Sequence, residues 1–222
     1  MPHFARASVV VVLLLLLFAI GAILYYVVVK YRATDDCHVL RRIVTDNGTI
    51  EIVNATCKEG LPHTTDSHTI RMTESAYAAD RRETTLAHER VHLDQKRNPA
   101  AWRDFYNRAW GYELVEAGDL PTEYVKNLRP NPDTADAPWA LWRGRWLFFP
   151  NYGADRTLRN ARIFVWDTQL KEIVSPPSEW TAMFCGTDGC PHQFEHPHEL
   201  SAEYIAEGHT SPAALKLFAW KH

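Results

Sequence analysis

The sequence has no excess of charge of either sign and no long run of like charges. Its 222 residues include 24 Lys and Arg against 27 Asp and Glu. A nucleic-acid-binding domain usually carries a basic face, so this balance argues against nucleic acid as a partner. The sequence also has no internal repeat and, apart from one apolar stretch near the amino terminus, no low-complexity tract. A chain of this length fits one globular domain with an appendage.

The apolar stretch covers residues 8–29 and contains no charged residue. A helix needs about 20 such residues to cross a bilayer. Tyr25 near its end and Lys30 just after it are typical of a membrane interface. A cleaved signal peptide, the alternative, has a shorter apolar region and a small-residue cleavage site, which residues 33–34 provide poorly. We therefore predict a tail at 1–7, a transmembrane anchor at 8–29 and a lipid bilayer as the partner of that anchor.

The sequence contains conflicting signals about the side of the membrane on which the domain lies. Basic residues after the apolar stretch favour a cytosolic domain by the positive-inside rule. Two glycosylation sequons, at Asn47 and Asn54, and four cysteines that can pair favour the opposite side. We predict an extracytoplasmic domain, or one on a viral membrane, with both asparagines as candidate glycosylation sites.

The four cysteines form two pairs along the chain. Residues 37–57 predict a β-hairpin stalk, because strand formers flank a strong turn signal at 46–48. Pairing about that turn places Cys37 almost opposite Cys57, which favours a disulfide over two free thiols. Cys185 and Cys190 favour a small disulfide loop, although with a nearby histidine they could instead bind a structural zinc ion.

One short motif carries most of the chemistry. His88, Glu89 and His92 form an HExxH pattern in a predicted helix over 82–96 that has no Gly or Pro. Residues four apart lie on one helical face, so both imidazoles can bind one zinc ion, and Glu89 can take a proton from an attacking water. Arg90 departs from the uncharged residue usual in peptidases of this kind, and a solvated helix face is the alternative.

A catalytic zinc site usually has three protein ligands and one open position, so a third ligand is needed. Gln95 and Asn98 occupy the positions where a metzincin would have Gly and His, which excludes that class. Glu199 and Glu203 lie four apart on a second predicted helix, so one can bind metal while the other holds a histidine ring. Alternative ligands near them are His192, His196, His198 and, less well suited, Glu195.

This combination resembles the gluzincin metallopeptidases, which have an HExxH helix and a later helix with an acidic pair at this spacing. The resemblance covers the two motif helices. It implies that Glu199 is the third zinc ligand and that Glu203 does not bind the ion but hydrogen-bonds a residue that does. The stretches NPDTADAPW and HPHELSAE are also similar to small HExxH proteins of large DNA viruses.

The residue that would stabilise a developing oxyanion is not singled out by any pattern. Such a site usually needs a hydrogen-bond donor beside the metal. Tyr152, Tyr204 and His209 could each serve, although a structural role is favoured for each.

Together these features predict an α+β fold with an N-terminal transmembrane helix and a zincin-like domain over 65–222. In that domain the two motif helices pack together, and a β-rich insertion with aromatic strands at 139–142 and 145–149 lies between them in the sequence. The predicted function is that of a membrane-anchored zinc metallopeptidase that acts on peptide or protein substrates with Zn²⁺ as its cofactor. The alternative is a non-catalytic structural or interaction membrane protein with a vestigial or structural metal site.

Overall fold

The computed structural model describes residues 37–116, 118–152 and 158–221, and the chain from Cys37 onward forms one compact unit. The predicted tail at 1–7 and anchor at 8–29 lie outside the described residues. Within the described part, no helix combines the length and the apolar character needed to cross a bilayer. The fold is α+β, with two sheets and several helices. The predicted fold is therefore corrected in one respect: it included a membrane-crossing helix.

The first sheet lies at the amino-terminal end of this unit. Its strands are β1 (Val39–Thr45), β2 (Gly48–Val53), β3 (His63–Thr64) and β4 (Thr69–Thr73). The order is β1-β2-β4-β3, in which β2 and β4 are parallel and the other pairs are antiparallel. Thr45 pairs with Gly48 across the hairpin turn, and a disulfide joins Cys37 to Cys57. Because β2 also pairs with β4, the hairpin is an integral part of this sheet.

The second sheet is an antiparallel meander of five strands in sequential order. Its strands are β5 (Tyr112–Val115), β6 (Trp139–Trp142), β7 (Trp146–Asn151), β8 (Arg162–Asp167) and β9 (Glu172–Val174). Arg143 and Gly144 both have positive φ in the turn between β6 and β7, where the backbone N–H of Arg145 donates to the carbonyl of Trp142 at 3.1 Å. The sheet lies in the sequence between the two motif helices, where a β-rich insertion was expected.

Seven α-helices lie between and after these strands in the described parts of the chain. They are α1 (Glu74–Tyr77), α2 (Arg82–Arg97), α3 (Pro99–Phe105), α4 (Thr122–Val125), α5 (Ser178–Phe184), α6 (Pro197–Glu207) and α7 (Pro212–Lys221). A π-helical turn, Tyr106–Trp110, continues α3. Five large aromatic side chains of α3, this turn and α5 are fully buried, namely Trp102, Tyr106, Trp110, Trp180 and Phe184. They belong to the same core cluster as buried residues of α6 and α7.

The packing of α2 determines where its polar face points. Leu86 and Leu93 are buried against the isoleucines and Met72 of the first sheet, and each contributes roughly 1.5–3 kcal/mol by leaving water. Another face of α2 packs on α6, the element in closest association with it. The helix is uninterrupted because it contains neither Gly nor Pro, and it ends at Arg97, with Asn98 as the C-cap before Pro99.

The bounds of α6 also follow from local chemistry. The ring of His196 accepts a hydrogen bond from the backbone N–H of His198 at 3.1 Å, and Pro197 occupies the first helical position. At the other end Gly208 has φ +75°, the left-handed conformation that commonly ends helices. Glu199 is therefore fixed in the first turn of α6, on the side that meets α2.

Candidate metal centre

The two motif histidines project from one face of α2. Their Nε2 atoms lie 3.0 Å apart, and the rings meet edge to face with centroids 4.8 Å apart. His92 is buried, whereas 14% of the His88 side chain remains accessible. The helical spacing thus directs two imidazole nitrogens to one point, with His88 on the side that solvent can reach.

Glu199 reaches the same point from α6. Its Oε2 lies 3.1 Å from Nε2 of His88, and its Oε1 lies 3.4 Å from Nε2 of His92. The ligand atoms of these three side chains all lie within 4.8 Å of one another. Two imidazole nitrogens and a carboxylate form a donor set that suits zinc, and the residues present therefore fit the predicted ion.

Glu89 lies beside this cluster and is only 4% exposed. Its Oε2 has no hydrogen-bond partner among the described residues, although the atom is buried. Burial, together with the negative charges of Asp133 and Glu199, raises the pKa of Glu89 well above its ordinary value. A buried carboxylate oxygen without a partner costs free energy, so this position calls for a water molecule or a ligand.

A cleft of about 380 Å³ opens next to the cluster. His88, Glu89 and Glu199 form part of its wall, and further residues of the wall include Arg129, Asn131, Asp133 and Tyr152. A volume of this order is at the lower end of the range for small-molecule sites, and it can accept part of a peptide chain. Two of the three candidate ligands, His88 and Glu199, thus border a space in which a fourth ligand could bind.

Gln95 fixes the orientation of the His92 ring. Its Oε1 lies 2.7 Å from Nδ1 of His92, while its Nε2 donates to Ser201 Oγ at 2.9 Å and to the Tyr106 hydroxyl at 3.1 Å. Because the oxygen of the amide faces the ring, Nδ1 must carry the proton. The lone pair of the neutral ring then lies on Nε2, which faces Glu199 and His88.

In the sequence, Gln95 served only to exclude a class of peptidase, and its contact with His92 was not predicted. The available signal was its position three residues after His92, which places both side chains on one face of α2. The partners of Gln95 on α6 could not be found in the same way, because 106 residues separate it from Ser201.

Two further residues of the site come from the loop before β6. Asn131 Nδ2 donates to Glu199 Oε1 at 2.9 Å, and Asp133 has a carboxylate oxygen within 4.8 Å of the nearest ligand atoms of Glu89 and His92. Asp133 is anchored by the backbone N–H of Thr64, which donates to its Oδ1 at 2.8 Å. The stretch that begins at Asn131 was noted in the sequence only for a resemblance, and no role at a metal site was predicted for it. Its contacts depend on the tertiary fold.

The charges of the cluster are mutually dependent. Burial alone would lower the pKa of His92, but the nearby Glu199 and Asp133 carboxylates outweigh it and raise that pKa to about 10. Burial would raise the pKa of Glu199, but His92 and His88 hold it well below its ordinary range. The buried acids therefore favour a positive charge at this point, either a proton on His92 or a metal ion.

The predicted role of Glu203 needs correction. Its carboxylate accepts hydrogen bonds from the backbone N–H groups of His192 and Gln193, each at 2.8 Å, and lies 3.5 Å from Nε2 of His209. One helical turn separates it from Glu199, about 5.4 Å along the axis, so it meets the loop before α6 rather than a ligand ring. The prediction had Glu203 hold a histidine ring, and it is Gln95 that contacts the ring of His92.

The sequence offered four alternative third ligands, namely His192, His196, His198 and Glu195. Both ring nitrogens of His196 are used, since Nδ1 accepts from the N–H of His198 and Nε2 contacts the carbonyl of Ala137 at 2.9 Å. His192 is exposed to solvent. Burial raises the pKa of Glu195 to about 7, with a further contribution from Glu199. In the described parts of the chain, no group of potential metal ligands contains any of these residues.

A disulfide joins Cys185 to Cys190, with Cα atoms 4.1 Å apart. The sulfur atoms are therefore not available as thiolates for the alternative zinc site. The other cysteine pair is also oxidised, and no free cysteine occurs among the described residues.

The three candidate oxyanion donors occupy different surroundings. Tyr204 donates to the Phe184 carbonyl at 2.5 Å inside the core, and His209 lies against Asp188 and Glu203. Tyr152 donates to Glu59 at 2.7 Å and lines the cleft. Of the three, Tyr152 is therefore the one that borders the cleft.

The two sequons lie on or near the first hairpin. Asn47 is exposed in the turn. Asn54 accepts from the N–H of His38 through Oδ1 and donates to Thr56 through Nδ2, both at 2.6 Å. Glycosylation at either position stays a prediction.

Comparisons of the chain with protein-family models, with curated proteins and with solved structures found no match. The resemblance to gluzincins therefore stays a prediction, and the function has to be argued from the site itself.

Proposed function

We propose that this protein is a zinc-dependent metallopeptidase that hydrolyses peptide bonds in peptide or protein substrates. The observation that supports the proposal most directly is the meeting of His88 and His92 with Glu199, which lies on a distant helix. Together they offer the nitrogen and oxygen donors that zinc prefers, beside a cleft. When bound, zinc polarises a carbonyl group and makes water a stronger nucleophile.

The other roles in the reaction belong to residues of the chain. Glu89 is the general base in this proposal: the residue lines the cleft, and its buried Oε2, which has no hydrogen-bond partner among the described residues, can accept the proton of the attacking water. A nearby divalent cation lowers the pKa of a carboxyl group, which would keep Glu89 ionised despite its burial. Gln95 keeps Nε2 of His92 free to bind the ion.

A structural metal ion would use the same ligands but would need a closed fourth position. The cleft beside His88 and Glu89 favours the catalytic interpretation. A structural site needs neither an open position at the metal nor a nearby acid whose oxygen has no partner.

The substitution Glu89→Gln tests the proposal. It retains the shape of the side chain and removes the base, so peptide hydrolysis should fall by about 10²–10⁴-fold while zinc remains bound. The measurements are cleavage of a mixed peptide library, followed by mass spectrometry, and the zinc content of the purified protein.

The matched control is Glu83→Gln, an exposed glutamate on the same helix that forms an ion pair with Arg82. This variant should cleave peptides as the wild type does. A fully active Glu89→Gln variant would contradict the proposed mechanism. A wild-type protein that holds zinc tightly but cleaves nothing would favour a structural ion.

A further inference from the structure

Asn131 occupies a position between a turn and the proposed third ligand. It precedes the short 3₁₀ turn Pro132–Thr134, and its Oδ1 accepts the backbone N–H of Asp133 at 2.9 Å. Its Nδ2 donates to Oε1 of Glu199 at 2.9 Å. One side chain thus joins the start of this turn to the carboxylate on α6.

The orientation of the Asn131 amide follows from its partners. If the amide were rotated, its NH₂ group would face the N–H of Asp133, and its oxygen would face the carboxylate of Glu199. Both contacts would then be repulsive. The donor of the amide therefore has to point at Glu199.

The loop that carries Asn131 is itself held in place. Asp133 accepts from the N–H of Thr64 on β3 at 2.8 Å and lies 3.4 Å from the ammonium group of Lys96 on α2. These contacts anchor the turn to the first sheet and to the helix that bears His88 and His92. The donor of Asn131 is consequently presented to Glu199 from a fixed support.

A glutamate side chain has three rotatable bonds, and ordering them costs free energy whenever an ion binds. We propose that Asn131 is a positioning residue, which holds the carboxylate of Glu199 in its metal-binding orientation before the ion arrives. Partners that hydrogen-bond a metal ligand typically contribute 10–100-fold to metal affinity. The inference rests on the proposed function only in requiring that His88, His92 and Glu199 bind zinc.

The substitution Asn131→Ser separates positioning from a merely structural role. Serine caps a turn about as well as asparagine, so the contact with Asp133 is retained, but its short hydroxyl does not replace the amide donor. The zinc dissociation constant of the full chain, measured by competition with a chromogenic chelator, should rise by roughly 10–100-fold. The unfolding temperature of the metal-free protein should stay close to that of the wild type.

The control is Asn98→Ser. Asn98 also donates to a carboxylate, Asp94 at 2.8 Å, but at the far end of α2, so its loss should leave zinc affinity unchanged. Asn131→Thr, which also retains a capping oxygen, provides the same test if the serine variant does not fold. The absorption spectrum of bound Co²⁺ gives a second measure of ligand geometry, and it should change in both Asn131 variants.

The possible outcomes distinguish the inference from the proposed function. Equal zinc affinity in wild-type protein and in the Asn131 variants would overturn the inference alone. Weaker binding in the variants, in a protein that cleaves no peptide even when saturated with zinc, would support the inference and overturn the proposed function. A wild-type protein that binds no zinc would overturn both.

Discussion

Two groups of histidines lie close together in this protein and have opposite surroundings. The first group, His88 and His92 on α2, directs its Nε2 atoms towards a carboxylate and a cleft. The second group lies around the start of α6, where His196 uses both ring nitrogens to hold the chain and His192 faces solvent. Gln95 holds Nδ1 of His92 and leaves its Nε2 for an ion, whereas both ring nitrogens of His196 are occupied.

The pKa values of His92 and His196 differ because different groups surround the two rings. His92 and His196 are both buried, and burial by itself lowers the pKa of a histidine. For His196 burial prevails and the pKa falls to about 4, whereas for His92 the acids Glu199 and Asp133 prevail and the pKa rises to about 10. The neighbouring charges, rather than the depth of burial, therefore distinguish the two rings.

The largest effect should come from removing a ring of the first group. We expect His92→Ala to weaken zinc binding by more than the 10–100-fold typical of losing an outer partner, because a direct ligand is lost. His192→Ala, in the second group, should bind zinc as the wild type does. Zinc titration of both purified variants checks this, and equal losses in the two would remove the distinction between the groups.

An intermediate effect is expected from the residue that orients His92. Gln95→Met has a similar volume but offers no strong acceptor to Nδ1, so zinc affinity should fall by roughly 10–100-fold. Chelator competition measures the change, and Gln169→Met, at an exposed position, is the control. Unchanged affinity in Gln95→Met would show that the hydrogen bond on Nδ1 does not separate ligand histidines from the others.

The smallest effect concerns the second group and stability. The folded protein holds the pKa of His196 near 4, below its ordinary 6.5, so between these values the unfolded chain binds a proton that the folded chain does not. Stability from this residue is therefore lost as the pH falls from 6.5 to about 4. His196→Asn retains a capping oxygen and should lessen this dependence by up to about 1.4 kcal/mol per pH unit.

Urea unfolding of metal-free protein at several pH values measures that difference. His192→Asn serves as the control, because this exposed position should leave the pH dependence of stability as it is in the wild type. An identical pH dependence in the wild type and in His196→Asn would mean that the buried ring does not titrate as described.

Much of the local structure could be predicted from the sequence, because it depends on neighbouring residues. The uninterrupted apolar spacing around residue 90 predicted α2, the turn signal at 46–48 predicted the first hairpin, and the cysteine spacing within it predicted the disulfide. The membrane-crossing helix at 8–29, by contrast, belongs to no described element. Glu203 was misplaced because helical spacing fixes a face but not the partner of each turn.

The sequence alone determined the pair of imidazoles, since 3.6 residues per turn places His88 and His92 together in any helix. Only the tertiary structure decided what meets them. Glu199 arrives from a helix 111 residues later in the chain, and Asn131 comes from a loop whose anchors are on the first sheet and α2. Contacts of this range depend on how helices and sheets pack, and no local spacing in a sequence specifies that packing.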